Sequence, residues 1–396
     1  MSLPADAIVI TAAVRTPMGS FNGALNGQSA HDLGGVAIKE AVRRAGIAPD
    51  SVQEVLMGNC LMAGQGQAPA RQAAYKGGLP DSAGAVTLSK MCGSGMKAAM
   101  FAHDMLKAGT WDVMVAGGME SMSNAPYLLL KARNGYRVGA DKIYDHMMLD
   151  GLEDAYNPGQ AMGVFGEQCA QKYGFTREQQ DAFATESVMR AQRAVAAGAF
   201  DAEIAPVTSK SRTGDVVVAK DEAPSKVKLD KIPTLKPAFT KDGTVTAASS
   251  SSISDGAAAL VMMRAETAEK LGSKPLARLV AHATHSHQPE WFTTAPIGAA
   301  QKALAKAGWS KEEVDLWEVN EAFAAVTMAF MHEMGVGHDV VNVNGGACAL
   351  GHPVGATGAR IMTTLIYALQ ARGKKRGVAA LCIGGGEATA VAIELL

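Results

Sequence analysis

Aromatic residues are scarce in this chain of 396 residues, at 5%, and charged residues make up only 19% of it, with a net charge of −1. Without a basic surplus there is no electrostatic footprint for nucleic acid, and no acidic block forms a solvated tail. The one charge run, Lys374-Lys375-Arg376, reads as a solvated turn. No apolar run is long and unbroken enough for the ~20 residues of a bilayer span, so no membrane partner is expected. Cysteine is sparse, odd in number and scattered (Cys60, Cys92, Cys169, Cys348, Cys382), which fits reduced thiols in a cytoplasm better than a disulfide framework. The opening Met1-Ser-Leu-Pro-Ala-Asp6 has neither a basic-then-apolar leader nor an Arg/Ser-rich one, and a cytoplasmic location is expected.

What is abundant is small. Forty-three glycines and many aliphatic residues suit close-packed helices lying on a mostly parallel sheet. The chain also repeats itself. Glu40-Ala-Val-Arg-Arg-Ala-Gly46 and Lys302-Ala-Leu-Ala-Lys-Ala-Gly308 are both helix ends closed by a glycine, at an offset of 262 residues. Each leads to an apolar strand, Val52-Gln-Glu-Val-Leu-Met57 and Val314-Asp-Leu-Trp-Glu-Val319. Gly95 and Gly358 then open two further helices at an offset of 263, and these run to strands from Val113 and Val378 that end in glycines. A register kept across helix, loop and strand predicts two copies of one α/β unit of the βαβ type.

Between the copies lies a stretch rich in Met, Tyr, Asn, Gly and Lys, with one clear helix from Thr176 to Gly198. It reads as a long insertion, of the kind that forms lids or binding loops. The division expected is a first core at 1–121 completed by 250–272, an inserted loop domain at 122–249, and a second core at 273–396. Asp255 to Leu271 is read as helix belonging to the first core.

Four residues stand at turns after strands, where open α/β sheets bind ligands. Cys92 precedes Gly93-Ser-Gly95 and a helix from about Met96 to Leu106. The helix dipole there favours thiolate, and glycines let N–H groups face a substrate carbonyl; the alternative is a small buried hydrophobe. His352, within Gly345-Gly-Ala-Cys-Ala-Leu-Gly-His-Pro-Val-Gly-Ala-Thr-Gly358, is placed as a general base or an oxyanion donor. Cys382 opens Cys-Ile-Gly-Gly-Gly386 and is either an acid/base or simply packed; the glycines lack P-loop spacing. Asn320 either positions a water or polarises a carbonyl, or caps the next helix. His282-Ala-Thr-His-Ser-His287 alternates like a strand and lacks the spacing of a zinc enzyme, so no metal is expected.

Taken in order, Lys90-Met-Cys-Gly-Ser-Gly-Met-Lys97, Gly117-Gly-Met-Glu-Ser-Met122, Asp255-Gly-Ala-Ala258, Val319-Asn-Glu-Ala-Phe323, Asn344-Gly-Gly-Ala-Cys-Ala-Leu-Gly-His-Pro353 and Cys382-Ile-Gly-Gly-Gly386 resemble the thiolase family over essentially the whole chain. The resemblance implies two βαβαβαββ cores in five layers, α-β-α-β-α, with an inserted loop domain. It implies reversible condensation of two acetyl-CoA molecules to acetoacetyl-CoA and CoA, with degradative cleavage of longer 3-ketoacyl-CoA as the alternative. By resemblance Cys92 is the acylated residue, His352 its activator, and Cys382 the base for the second substrate. Asn320 would hold a water in one oxyanion hole, and the N–H groups of Cys92 and Gly384 would form the other. Met162, Ala238, Phe239, Ser251, Ala322 and Phe323 would line the pantetheine tunnel. Coenzyme A is then substrate and product rather than cofactor, and a homodimer or homotetramer is implied.

Several positions depart from the family pattern. Ser225, with Lys226 and Lys228 close by, stands near an adenine-stacking arginine's place, and Ala161 replaces a histidine. Ser249 to Ser252 replace Asn-Ala-Ser-Gly, and Phe292 replaces a methionine of the acyl pocket. The second cysteine, Cys382, opposes a decarboxylating ketoacyl synthase, which uses two histidines or His and Asn beside its nucleophile.

Overall fold

The computed structural model describes residues 3–211 and 214–396. Its first half contains β1 (Ile8–Arg15), α1 (Ala30–Ala45), β2 (Glu54–Gly58), α2 (Pro69–Lys76), β3 (Gly84–Leu88), α3 (Ser94–Lys107) and β4 (Val113–Ser121). After the insertion, which carries α4 (Gly163–Tyr173) and α5 (Arg177–Ala196), the chain returns through β5 (Ser254–Arg264) and α6 (Ala265–Leu271). The second half contains β6 (Ala277–Ser286), α7 (Ala295–Ala307), β7 (Leu316–Val319), α8 (Ala324–Met334), α9 (Thr357–Ala371), β8 (Arg376–Ile383) and β9 (Glu387–Leu395).

The helix boundaries follow local chemistry. Ser29 and Asp32 form a capping box at the start of α1, and Thr176 with Gln179 forms another on α5. Gly46 and Gly308 close α1 and α7 in the left-handed region, at φ 68° and 69°, as the repeat predicts.

The strands named above join one sheet, in the order β7-β8-β9-β6-β1-β5-β4-β2-β3. Read outward from the middle, β1-β5-β4-β2-β3 and β6-β9-β8-β7 are the same order twice, and a parallel bridge from Trp317 to Val341 marks where a partner of β3 would continue the second copy. The halves meet through a short antiparallel contact, Val9 with Arg278 and Ile10 with Ala277.

Two expectations are corrected. The sheet is mixed, because β5 and β9 run antiparallel to both of their neighbours. Only three residues separate β8 from β9, and a link that short can join only antiparallel strands. The segment from Asp255 to Leu271 is chiefly strand, with helix only from Ala265. Its apolar run is buried on both sheet faces, where strand and helix look alike in the sequence.

Apolar packing forms five layers. One core joins α1 and α2 to the outer face of the first half, and another joins α7 and α8 to the second half. A third fills the middle, where α3 and α9 lie between the inner sheet faces. There the two helix starts nearly touch, and a Cβ added at Gly95 would sit 2.9 Å from the Ala359 nitrogen. Those close-packed starts carry the residues of interest. Among the described residues no helix is long and apolar enough to cross a membrane.

Candidate active site

The turn before α3 is strained. Met91 has φ 46°, unusual for a residue with a side chain and costing about 1–3 kcal/mol. Ser94 holds it there, its hydroxyl donating to the Met91 carbonyl at 2.6 Å and accepting from the Lys90 N–H at 2.8 Å. Lys90 also pairs with Glu387 at 2.5 Å, tying this turn to the start of β9. Cys92 is thereby fixed two residues before α3, half-buried against the second half of the molecule. None of the five cysteines is in a disulfide.

The pull of the helix start towards thiolate is outweighed at Cys92. Burial pushes its thiol up to about 11, although the N–H groups of Gly384 and of Cys92 itself pull the other way. The resting residue is a thiol that needs a base. Those two N–H groups both face its sulfur.

His352 sits in the loop before α9, buried, with Nδ1 2.6 Å from the Thr357 hydroxyl. Thr357 donates its own hydrogen to the Pro353 carbonyl at 3.0 Å, so it accepts from Nδ1–H and leaves the lone pair on Nε2. Among the described residues no group bonds that Nε2. Burial, reinforced by the nearby Arg360 charge, pushes the imidazole down to about 3, so it is neutral, with its free lone pair on Nε2. The loop is anchored to the first half through Glu120, whose buried carboxylate accepts from the N–H groups of Cys60, Leu61 and Gly355 and from Asn59 Nδ2. Glu120 lies in one of the motifs, but nothing in the sequence separates its role from its neighbours'. Thr357 is likewise legible only from the fold.

The Thr357 contact leads to a direct expectation. In Thr357→Val the Nδ1 partner is lost with little change of volume, at a net cost of about 1 kcal/mol. The expected result is a fall in kcat of about fivefold with KM for the acyl-CoA unchanged, and rescue by Thr357→Ser. Equal loss in the serine variant would show that shape, not the hydrogen bond, matters.

Cys382 is the next-to-last residue of β8, fully buried, and burial raises its thiol well above the ordinary range. Cys92, His352, Cys382 and Gly384 line one small cavity of about 60 Å³, together with Met162, Ser251, Phe292, Ala322 and Phe323. A larger cavity of about 240 Å³ shares Met162, Ser251, Phe323 and His352 with it and adds Phe239 and Ala161. The two form a continuous apolar cleft, walled at the inner end by Phe292, whose ring meets Phe165 edge-on at 6.0 Å.

Two predicted residues stand apart from the cleft lining. Ala238 lies in an open surface groove that adjoins the cleft through Phe239 and Ala161. Asn320 follows β7, buried, and its amide atoms have no partner among the described residues. It does not cap α8, whose N-cap is Phe323, so the capping alternative fails. Lys226, near the place of the adenine-stacking arginine, is paired with Glu222 at 2.5 Å.

Fold and site together define a two-halved α/β protein with a cysteine nucleophile's geometry at the seam. Residues 8–266 match the thiolase N-terminal domain and residues 273–395 the thiolase C-terminal domain. An acetyl-CoA acetyltransferase of Cupriavidus necator is 48% identical over 389 residues, 98% of this chain and 99% of that protein. The crystal structure of the Bacillus anthracis acetyl-CoA acetyltransferase superposes with a TM-score of 0.96 at 42% identity, covering 98% of this chain and 99% of that one. The Acat5 thiolase of Ascaris suum, solved with coenzyme A, gives 0.93 at 42% identity, covering 98% and 100%. The chain belongs to the thiolase family.

Proposed function

We propose that this chain is an acetyl-CoA C-acetyltransferase, condensing two acetyl-CoA molecules into acetoacetyl-CoA and CoA by way of an acetyl-Cys92 intermediate. The observation that carries the reading is the convergence of two thiols, one neutral imidazole and two backbone N–H groups on a single small cavity.

In the first half-reaction Cys92 Sγ attacks the thioester carbonyl while its proton passes to His352 Nε2. The N–H groups of Cys92 and Gly384 hold the oxyanion, and CoA leaves as a thiolate that takes the proton of Cys382. In the second, the Cys382 thiolate removes a methyl proton from a new acetyl-CoA. The enolate oxygen is held by the Nε2–H of His352 and a water on Asn320. The carbanion attacks acetyl-Cys92, and the departing Cys92 sulfur recovers its proton from His352. Both substrates enter by the cleft, their pantetheine arms against Met162, Phe239, Ser251, Ala322 and Phe323, with Ala238 at its outer edge. Acetyl-CoA is consumed and coenzyme A is released, and no other cofactor takes part.

The test is mass spectrometry of the protein incubated with acetyl-CoA. One acetyl group on Cys92 is expected, absent from Cys92→Ser; an unmodified Cys92 ends the proposal.

Short acyl chains are favoured over the degradative, long-chain alternative by the inner cavity. At ~10–15 Å³ for each water-sized group, its volume holds only a few heavy atoms. Phe292→Ala is expected to open it, so that thiolysis of six- to eight-carbon (~6–8) ketoacyl-CoA rises relative to acetoacetyl-CoA. An unchanged chain-length profile would remove Phe292 as the wall.

The same proposal takes 1–121 with 250–272 as one core, 122–249 as an insertion and 273–396 as the second core. It places the protein in the cytoplasm as a homodimer or homotetramer. The open sheet edge at β3, with Val86 exposed, and the exposed Tyr127, Leu129 and Leu130 of the insertion support association, which light scattering measures.

A further inference from the structure

The three histidines at 282, 285 and 287 do not act together. Strand alternation sends His282 to one face of β6, while His285 and His287 pack edge-on against each other at 5.2 Å, with His285 against Gly298 of α7. His282 instead meets two residues nearly two hundred positions earlier. Its Nε2 lies 2.9 Å from Asp104 Oδ1, and the Nδ1 of His103 lies 3.0 Å from the same oxygen. The two imidazoles stand nearly perpendicular, 83° apart with centroids at 5.0 Å. Among the described residues this is the one place where three such ligand atoms lie within 4.8 Å of one another.

We propose that His103, Asp104 and His282 form a binding site for a divalent transition-metal ion of the zinc, cobalt or nickel class, bridging α3 of the first half to β6 of the second. The spacing is near what an ion needs: ligands about 2.1 Å from it stand about 3.0 Å apart at the right angles of octahedral coordination and about 3.4 Å apart in a tetrahedron, and the two N···O distances here are 2.9 and 3.0 Å. Two imidazoles and one carboxylate with no sulfur are a donor set for these ions and not for calcium or magnesium. Access is open on one side only. The histidine side chains are 17% and 13% exposed and Asp104 is 59% exposed, which leaves the remaining positions to water.

The two imidazoles come from different halves, so an ion here braces the docking of the halves. It stays clear of the chemistry: His103 is about 15 Å along α3 from the Cys92 turn, at ~1.5 Å per residue. A bound ion favours the folded chain by mass action and raises its melting temperature in proportion to occupancy.

Cobalt(II) titration of the full-length protein, followed by visible absorption, distinguishes this site from the cysteines. The expected result is one ion per chain, with the weak bands of a nitrogen/oxygen donor set and no thiolate-to-cobalt charge transfer. Zinc(II) should displace it and raise the melting temperature. His282→Ala should abolish uptake, and Asp104→Asn, at an exposed helix position, should weaken it by ~10-fold or more with acyl-transfer activity retained in both. If His282→Ala fails to fold, Asp104→Asn and His103→Ala decide the matter. Charge transfer from sulfur, uptake unchanged in the variants, or no uptake at about 1 mM cobalt would each overturn the proposal.

Discussion

Cys382→Ser is expected to form acetyl-Cys92 nearly as well as the unaltered protein, yet to make acetoacetyl-CoA ~10²–10⁴ times more slowly. The two half-reactions ask different things of this residue. Acylation needs a nucleophile at Cys92, a base at His352 and an oxyanion hole, all of which the variant keeps. CoA leaves as a stable thiolate, so losing a proton donor slows that step only slightly. Condensation needs a base strong enough for a methyl proton and already ionised by the first step. A serine hydroxyl, intrinsically far less acidic than a thiol, is not ionised by a departing thiolate. The fully buried position of Cys382 makes this worse, because burial penalises the charged form. Acetyl occupancy and acetoacetyl-CoA release, measured on one preparation, separate the steps. Loss of acetylation as well would show that Cys382 also serves the first half-reaction, and normal condensation would show that it serves neither.

The residues proposed for this chemistry were legible because each stands where a strand gives way to glycines, and because the halves repeat in one register. Cys92, His352, Cys382 and Gly384 needed only local context and the family pattern to be picked out. What the sequence conceals is everything decided by contact between distant segments. Burial, a property of the assembled seam, outweighs at Cys92 the helix dipole that the sequence suggests. Thr357 sets the His352 tautomer through a hydroxyl that any helix start could carry. Glu120 reaches across to Gly355 from a strand whose pattern says only that it is buried. The antiparallel return of β5 escapes notice because its run of Ala, Leu, Val and Met is apolar on both faces. His282 looked like one of three strand histidines because its true partners, His103 and Asp104, lie on a helix of the other half.

His352→Ala carries the second large effect, and it has a distinctive dependence on pH. With the Cys92 thiol raised to about 11, only about one molecule in 10⁴ carries the thiolate at pH 7. In the proposed mechanism the unaltered protein avoids this deficit, with Nε2 accepting the proton as the sulfur attacks. His352, held down at about 3, stays in its basic form throughout the neutral range, so acylation should be nearly flat between about pH 6 and 9. Without the imidazole, attack depends on the pre-formed thiolate. The sign is fixed by the thiol: its folded value lies far above this range, so the thiolate fraction grows about tenfold with each pH unit. Acetylation of Cys92 in the variant should therefore start ~10³–10⁴ below the unaltered protein at neutral pH and close the gap steadily as pH rises. Rapid-quench measurement of acetyl-Cys92 across that range checks both level and slope. A variant with a flat profile would mean that another group deprotonates Cys92, and the neutral imidazole at the seam would lose its assigned part in the first step.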